Sequence, residues 1–144
     1  MKTDLTIKLT LKLTLTLTLS TMLLAATGAP ANAAELEGKA LYAKNCAACH
    51  LADGKGIPGA FPALAGNPFV QGPGAEVSAV LLKGRGGMPN FSNNLGDEEI
   101  ALVLSYVRSS WGNKGPVLAG AEVAATRDAL GVPKATGSRL ANKH

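Results

Sequence analysis

Cys46-Ala47-Ala48-Cys49-His50 is the stretch of this 144-residue chain that decides its fold. Residues three apart in a helical turn project to the same side. Cys46 and Cys49 therefore present two thiols side by side, and the imidazole of His50 follows at once. The two alanines are small, so the backbone between the thiols can lie close against a flat group. The pattern predicts that two thiols and one imidazole act together on a single bound molecule.

The C-x-x-C-H spacing is typical of thioether attachment of haem c, with the histidine as an axial ligand of the iron. A disulfide redox pair, half of a zinc site and a chance occurrence are the alternatives. A thioredoxin-like pair needs a βαβ setting, which the sequence does not predict, and a zinc site needs two further ligands. Both cysteines of the chain lie in this motif, and the other histidine is the terminal His144. We therefore expect one covalent haem c on Cys46 and Cys49, with His50 on the iron.

The N-terminal stretch has the layout of a secretory leader. Three lysines precede 22 uncharged residues, 13–34, which include the small-residue triplet Ala31-Asn32-Ala33. This arrangement predicts a signal peptide over residues 1–33, cleaved after Ala33, and hence a periplasmic protein. An uncleaved membrane anchor is the alternative, because 22 uncharged residues are just long enough to cross a bilayer.

Charge gives no indication of a nucleic-acid partner. The full chain has a formal net charge of +4, but residues 34–144 hold 11 basic and 9 acidic residues, a net charge of +2. The two propionates of a haem would bring this value close to zero, and no basic run is present. Nucleic-acid binding is therefore not expected.

Hydrophobic spacing and helix-end residues predict an all-α protein. The expected helices cover residues 36–45, 75–83, 97–111 and 121–130. The clearest is 97–111, where Gly96 suits the N-cap, three acidic residues fill the first turn and Arg108 suits the negative end of the helix dipole. Its apolar residues, Trp111 included, share one face.

Glycine and proline dominate the segment between His50 and Gly74. Four prolines and, with Gly74 counted, six glycines exclude a long helix or a central strand there. The expected fold class is therefore all-α, with about four to five short helices and Gly/Pro-rich loops around one haem. We expect a haem domain over 34–112 and a C-terminal extension over 113–144 that forms a short surface helix and then frays.

The sixth iron ligand can be sought by elimination. Removal of the leader leaves Met88 as the only thioether, in the loop Gly84-Arg85-Gly86-Gly87-Met88-Pro89-Asn90-Phe91. Its glycines permit close backbone approach and its proline stiffens one side. A lone methionine is often core filler, and His144 is the competing ligand, although ordering a free terminus is costly. We expect Met88 to bind the iron.

Three motifs in this order resemble the class I monohaem cytochrome c family: C-A-A-C-H, then F-P-A-L-A-G-N, then G-G-M-P-N-F before a closing helix. The resemblance covers about residues 35–111 and implies that the all-α domain has the cytochrome c fold. The segments L-A-G-N-P and Ser110-Trp111-Gly112-Asn113 are similar to the haem c domains in cytochrome subunits of periplasmic alcohol and gluconate dehydrogenases.

The resemblance implies further roles. The carbonyl of Pro62 is expected to accept the N–H of the haem histidine, which fixes its tautomer. Gly38 is expected to pack with Tyr42 and Tyr106 where the first helix meets the last. Three leucines are expected to wall the haem: Leu64, Leu81 and Leu82.

Two axial ligands from the protein would leave no open position on the iron, so the sequence predicts outer-sphere electron transfer and no enzymatic activity. The expected partners are redox proteins, namely a dehydrogenase, an oxidase or another cytochrome, with possible membrane proximity through them. A diffusing carrier, an electron-accepting dehydrogenase subunit and a haem enzyme or ligand sensor are the hypotheses. Four basic residues flank the site and are candidates for orienting a partner: Lys44, Lys55, Lys83 and Arg85.

Overall fold

A computed structural model describes residues 31–136 of the protein, which belong to one compact unit. Residues 1–30 of the predicted signal peptide and residues 137–144 of the predicted frayed end lie outside the described residues. Six helices occur in the described part: α1 Ala31–Asn45, α2 Ala47–His50, α3 Pro68–Gln71, α4 Gly74–Lys83, α5 Asp97–Ser109 and α6 Gly120–Ala129. The all-α prediction is confirmed, and two of the six helices are single turns.

The contact between α1 and α5 forms one side of the fold. A side chain at Gly38 would overlap the carbonyl oxygen of Leu102 and press on Tyr106, so only glycine lets the two helices approach this closely. The rings of Tyr42 and Tyr106 lie beside this crossing with their centroids 5.6 Å apart. The helix contact expected at Gly38 is therefore present.

The core lies between α1, α4 and α5. The apolar face predicted for α5 is buried, with Ile100, Val103, Leu104 and Val107 each at most 5% exposed. Leu41, Leu81 and Leu82 meet this face from α1 and α4. Burying such side chains stabilises the fold by about 1.5–3 kcal/mol each.

The end of α5 differs from the prediction. The helix stops at Ser109, whereas residues 97–111 were expected to be helical. Ser110 is extended and Trp111 has a positive φ of 53°, so the chain turns out of the helix. The side-chain amide of Asn113 donates to the carbonyl of Val107 over 2.8 Å and fixes this turn. Trp111 still packs on Tyr42, with ring centroids 5.0 Å apart.

The loop between His50 and Gly74 contains one short helix that the sequence interpretation did not include. In α3 the side chain of Asn67 accepts the backbone N–H of Phe69, and Pro68 occupies the first helical position. Asn followed by Pro is a helix-start pattern, but a single turn has no apolar period to reveal it. The segment between His50 and Gly74, which the structure describes throughout, has no long helix and no strand, as the sequence predicted.

The C-terminal extension packs on the helical domain. Helix α6 was expected on the surface, yet Val123 and Arg127 on one of its sides are fully buried. Arg127 donates to the carboxylate of Asp97 and to the carbonyls of Ser92, Leu95 and Pro133. The opposite side of α6 is exposed, so it is a surface helix as expected. The sequence did not predict the burial of Arg127, which is possible because three carbonyls and a carboxylate satisfy its guanidinium.

Arg108 provides a second buried anchor. It was expected to act on the dipole of its own helix, but its guanidinium donates to the carbonyls of Val70, Gly72 and Pro116 over 2.7–2.9 Å. These bonds tie α5 to the end of α3 and to the extension. No helix in the described part of the chain has both the length and the apolar character needed to cross a bilayer.

Candidate functional site: a haem-binding cleft

The Cys46–His50 turn follows directly from α1. The backbone N–H of Cys46 still donates to the carbonyl of Tyr42, and the N–H groups of Cys49 and His50 both donate to the carbonyl of Cys46. This places Cys46 at the N-cap of α2 and starts a new turn one residue after α1 ends. Both cysteines are free and half-buried, so two thiols are available on one helical turn.

The imidazole of His50 is held by a backbone carbonyl. Its side chain is 7% exposed, and Nδ1 lies 2.9 Å from the carbonyl oxygen of Pro62. A carbonyl oxygen can only accept a hydrogen bond, so Nδ1 carries the proton and Nε2 keeps its lone pair. The lone pair on Nε2 is the form that binds a metal ion.

A tight loop places the Pro62 carbonyl. The N–H of Gly56 donates to the carbonyl of His50 over 3.0 Å, and Ile57 and Phe61 pair as an isolated antiparallel bridge. Gly56 has a φ of +63°, and a Cβ there would overlap the carbonyl oxygens of Phe61 and Pro62. Glycine is therefore required where this loop folds back beneath the histidine.

A second loop places Met88. The backbones of Arg85 and Met88 exchange two hydrogen bonds of 3.2 and 3.1 Å, and the N–H of Phe91 donates to the carbonyl of Leu81. Gly84 ends α4 with a φ of +74°, and a Cβ there would press on the carbonyl of Met88. The methionine is thus fixed on a short turn directly after α4.

Two adjoining cavities bring the separate elements together, one with about 700 Å³ of empty space and one with about 760 Å³. The same five residues line both of them: Cys46, His50, Pro62, Arg85 and Met88. Four of these are site residues proposed from the sequence. Cys49 lines only the second cavity, which opens beside Phe61.

The walls of the first cavity are largely apolar. Leu64 and Leu81 line it, as expected, whereas Leu82 is buried in the core and lines neither cavity. Sequence interpretation assigned no site role to several other residues of this wall: Asn67, Phe69, Val70, Val77, Val80, Val103, Leu104 and Val107. The residues of α5 in this wall were predicted only to be buried. The spacing of apolar residues shows that one face of a helix is covered, but it does not show whether protein or a cofactor covers it.

The flanking lysines do not line these two cavities. Lys55 is exposed and pairs with Asp53, with 3.1 Å between Nζ and Oδ2. This pairing lowers the pKa of the Asp53 carboxyl. Lys44 and Lys83 are also exposed.

The cysteine environment argues against a disulfide redox pair. Burial raises the pKa of the Cys46 thiol to about 11, and the charge of Cys49 adds to the shift. Redox-active cysteines have lowered pKa values, which keep the thiolate at neutral pH. A neutral thiol in an apolar cleft, beside an imidazole lone pair and a thioether, fits a flat hydrophobic cofactor that carries iron.

The family assignment follows from comparison with known proteins. The family described as cytochrome c oxidase, cbb3-type, subunit III matches residues 33–107, which is more than half of the chain. The chain belongs to this cytochrome c family. It is a c-type cytochrome with covalently bound haem c. The family resemblance and the cofactor expected from the sequence are confirmed.

Individual relatives include both subunits and small cytochromes. The alcohol dehydrogenase (quinone) cytochrome c subunit of Gluconacetobacter polyoxogenes is 37% identical over 76% of this chain. Cytochrome c-552 of Thermus thermophilus is 35% identical, covering 56% of this chain and 64% of that protein. The gluconate 2-dehydrogenase cytochrome c subunit of Pantoea cypripedii is 32% identical over 53% of this chain. The cytochrome spans about a quarter of the alcohol dehydrogenase subunit.

Proposed function

We propose that this cytochrome is an exported carrier of single electrons, with haem c attached through Cys46 and Cys49 and its iron bound by His50 and Met88. The observation that supports this most directly is the shared lining of the two cavities. The first cysteine, the histidine, the proline behind it and the methionine all line the same cleft. An imidazole and a thioether form the ligand pair of an electron-carrying haem.

Haem c supplies reversible one-electron exchange between ferrous and ferric iron. The protein residues bind and orient it. Two thioethers from Cys46 and Cys49 would fix its position, and the Pro62 carbonyl would hold the His50 ring in one tautomer. The apolar side chains of α4 and α5 exclude water, which favours the ferrous form and raises the potential.

Ligation by both His50 and Met88 leaves no iron position for oxygen, peroxide or another substrate. We therefore infer a carrier rather than an enzyme or a ligand sensor. Redox proteins are then its partners, and any contact with a membrane would be made through them. Carriers usually make small contacts, of under about 1,200 Å² in total.

The absorption spectrum of the oxidised protein tests the ligand pair. Oxidised wild-type protein should show the weak long-wavelength band of a sulfur–iron bond, and the reduced wild-type protein should not bind carbon monoxide readily. Met88→Leu keeps a similar volume but removes the donor, so the band should disappear and carbon monoxide should bind. Val80→Ala is the control, because Val80 lines the same cavity and has no donor atom.

Two outcomes would contradict the ligand assignment. One is a wild-type spectrum without the band, or with ready carbon monoxide binding. The other is a band that persists in Met88→Leu. Loss of the band in Val80→Ala as well would mean that it reports the shape of the cavity and not the sulfur of Met88.

Export is tested separately. If residues 1–33 are a cleaved signal peptide, mass spectrometry of the haem-containing protein from the periplasmic fraction should show a chain that begins at Ala34. Helix α1 starts at Ala31, so cleavage would shorten it by three residues. A haem-containing chain that keeps residues 1–33 and sediments with membranes would support an anchor instead.

A dehydrogenase subunit is the second candidate. The similarity to an alcohol dehydrogenase cytochrome subunit covers 76% of the chain, beyond the residues that the family model matches. A monomer that accepts electrons from several unrelated donors would support the carrier. Co-purification at a fixed ratio with one dehydrogenase polypeptide would support the subunit.

A further inference from the structure

Arg85 is the one residue lining both cavities that the proposed attachment and ligation do not use. It is also the only residue with a full charge among the described residues that line either cavity, and no carboxylate lines them. Haem c carries two propionates. The cleft thus presents one permanent cation to a cofactor that brings two anionic groups.

The guanidinium is folded over the cleft. Its central carbon lies 4.2 Å from the centroid of the Phe69 ring, and Phe69 lines the first cavity and packs against the core. Stacking on an aromatic face leaves the N–H groups at the edge of the guanidinium available to an anion. The side chain therefore lies against the cavity wall on one side and is exposed to solvent on the other.

The arginines of this fold differ in what they bind. Arg108 and Arg127 are buried and donate to carbonyl or carboxylate oxygens. Within the described residues, Arg85 makes no side-chain hydrogen bond and no ion pair. An arginine has five N–H donors in a fixed fork that matches a carboxylate. The donors of Arg85 thus have no protein acceptor in the part of the chain that the structure describes.

The backbone of Arg85 is also fixed. Its reciprocal hydrogen bonds with Met88 hold both residues on one turn. An anion bound by the guanidinium would therefore be held at a set position relative to the methionine. A freely moving surface arginine would not have this property.

We propose that Arg85 is a positioning residue that binds a propionate of haem c and, through its shared turn, fixes the Met88 loop against the cofactor. This inference rests on the proposed function, since it requires haem in this cleft with Met88 on the iron. It differs from a role in orienting a redox partner, for which Arg85 was one of four candidates.

The test compares Arg85→Ala and Arg85→Lys with Lys83→Ala in the haem-containing protein. Lys83 is exposed, lies two residues away and lines neither cavity. Loss of a cation beside a propionate destabilises ferrous iron, so at a fixed applied potential Arg85→Ala should have a ferrous-to-ferric ratio about threefold lower than wild type. Lys83→Ala should stay close to wild type.

A second measurement separates a bound propionate from charge acting at a distance. The propionate bending bands in the resonance Raman spectrum should shift in Arg85→Ala and not in Lys83→Ala. Arg85→Lys keeps the charge but loses the planar fork, so it should restore most of the ferrous-to-ferric ratio but only part of the band position.

Several results would overturn the inference. Unchanged propionate bands in Arg85→Ala would do so, as would an equal change of the ratio in Lys83→Ala. A variant that differs from wild type only in its rate with a redox partner would assign Arg85 to docking. Failure of the proposed function looks different, because the wild-type protein itself would then lack the sulfur–iron band.

Discussion

The loop that carries Pro62 and the extension that carries α6 are held in place by different means. In the loop, backbone groups bond to near neighbours, such as Gly56 to His50 over 3.0 Å and Leu64 to Gly54 over 2.7 Å. In the extension, the side chain of Arg127 reaches the carbonyl of Ser92, 35 residues away in the chain. The loop also has a long-range bond of this kind, from the side-chain amide of Asn113 to the carbonyl of Leu64 over 3.0 Å. The cofactor geometry thus depends mainly on local backbone turns, whereas attachment of the extension depends on a few long-range side chains.

Removing the Arg127 side chain should have the largest effect on stability. Arg127→Ala leaves the Asp97 carboxylate and three carbonyls without their donor. Breaking a buried pair in this way costs about 3–5 kcal/mol. Denaturant unfolding of the ferric protein should show this loss, while the absorption spectrum of the folded protein should stay unchanged.

Lys134→Ala is the matched control, because Lys134 is an exposed cation in the same extension. Its free energy of unfolding should stay within about 0.5 kcal/mol of wild type. A changed haem spectrum in folded Arg127→Ala would contradict the claim that the haem site does not depend on how the extension is attached.

Gly56→Ala should destabilise the protein less than Arg127→Ala, but it should change the properties of the haem, which Arg127→Ala should not. The added Cβ meets the carbonyl oxygens of Phe61 and Pro62 at a positive φ of 63°. The cost in unfolding free energy should be about 2 kcal/mol. Displacement of the Pro62 carbonyl should raise the reduction potential, because an imidazole without this hydrogen bond is less basic and stabilises ferric iron less.

Gly59→Ala separates backbone strain from displacement of the carbonyl. Gly59 has a φ of +81°, but nothing lies within 4 Å of a Cβ added there. Gly59→Ala should lower the free energy of unfolding by about 1 kcal/mol and leave the reduction potential of the haem unchanged. Equal shifts of the potential in both variants would show that the Pro62 carbonyl is not what Gly56 protects.

Replacing Pro62 itself should have the smallest effect on the stability of the protein and on the haem. The group that contacts His50 is a backbone carbonyl, 2.9 Å from Nδ1, and alanine supplies the same group. Pro62→Ala should cost about 0.4–1 kcal/mol through the greater freedom of the unfolded chain. The absorption spectrum and potential should be retained, and a large change in either would mean that the ring of Pro62 acts directly.

How far the sequence predicted the molecule depends on the range of each contact. The cysteine–histidine turn, the face of α5 and the end of α4 at Gly84 follow from neighbouring residues, and the structure places them as expected. The proposal of Met88 as an iron ligand rests on elimination, because the chain offers no other thioether after the predicted leader.

Other features depend on residues far apart in the sequence. Arg108 was interpreted only as a helix-end cation and Arg127 was given no role, since nothing near them in the chain shows which distant carbonyls they meet. The exit of Trp111 from the helix depends on Asn113 and on packing against Tyr42. Arg85 looked like a loop cation until the two cavities beside it were known.

The position of Trp111 gives the protein a built-in fluorescence probe. It is the only tryptophan of the chain, and its ring lies against Gly54 in the loop after His50 and against Tyr42 at the end of α1. A haem held by Cys46 and Cys49 would quench its emission by energy transfer in the folded state. Covalent attachment keeps quencher and emitter on one chain, so the rise in emission on unfolding measures the separation of Trp111 from the cofactor and cannot be caused by haem loss.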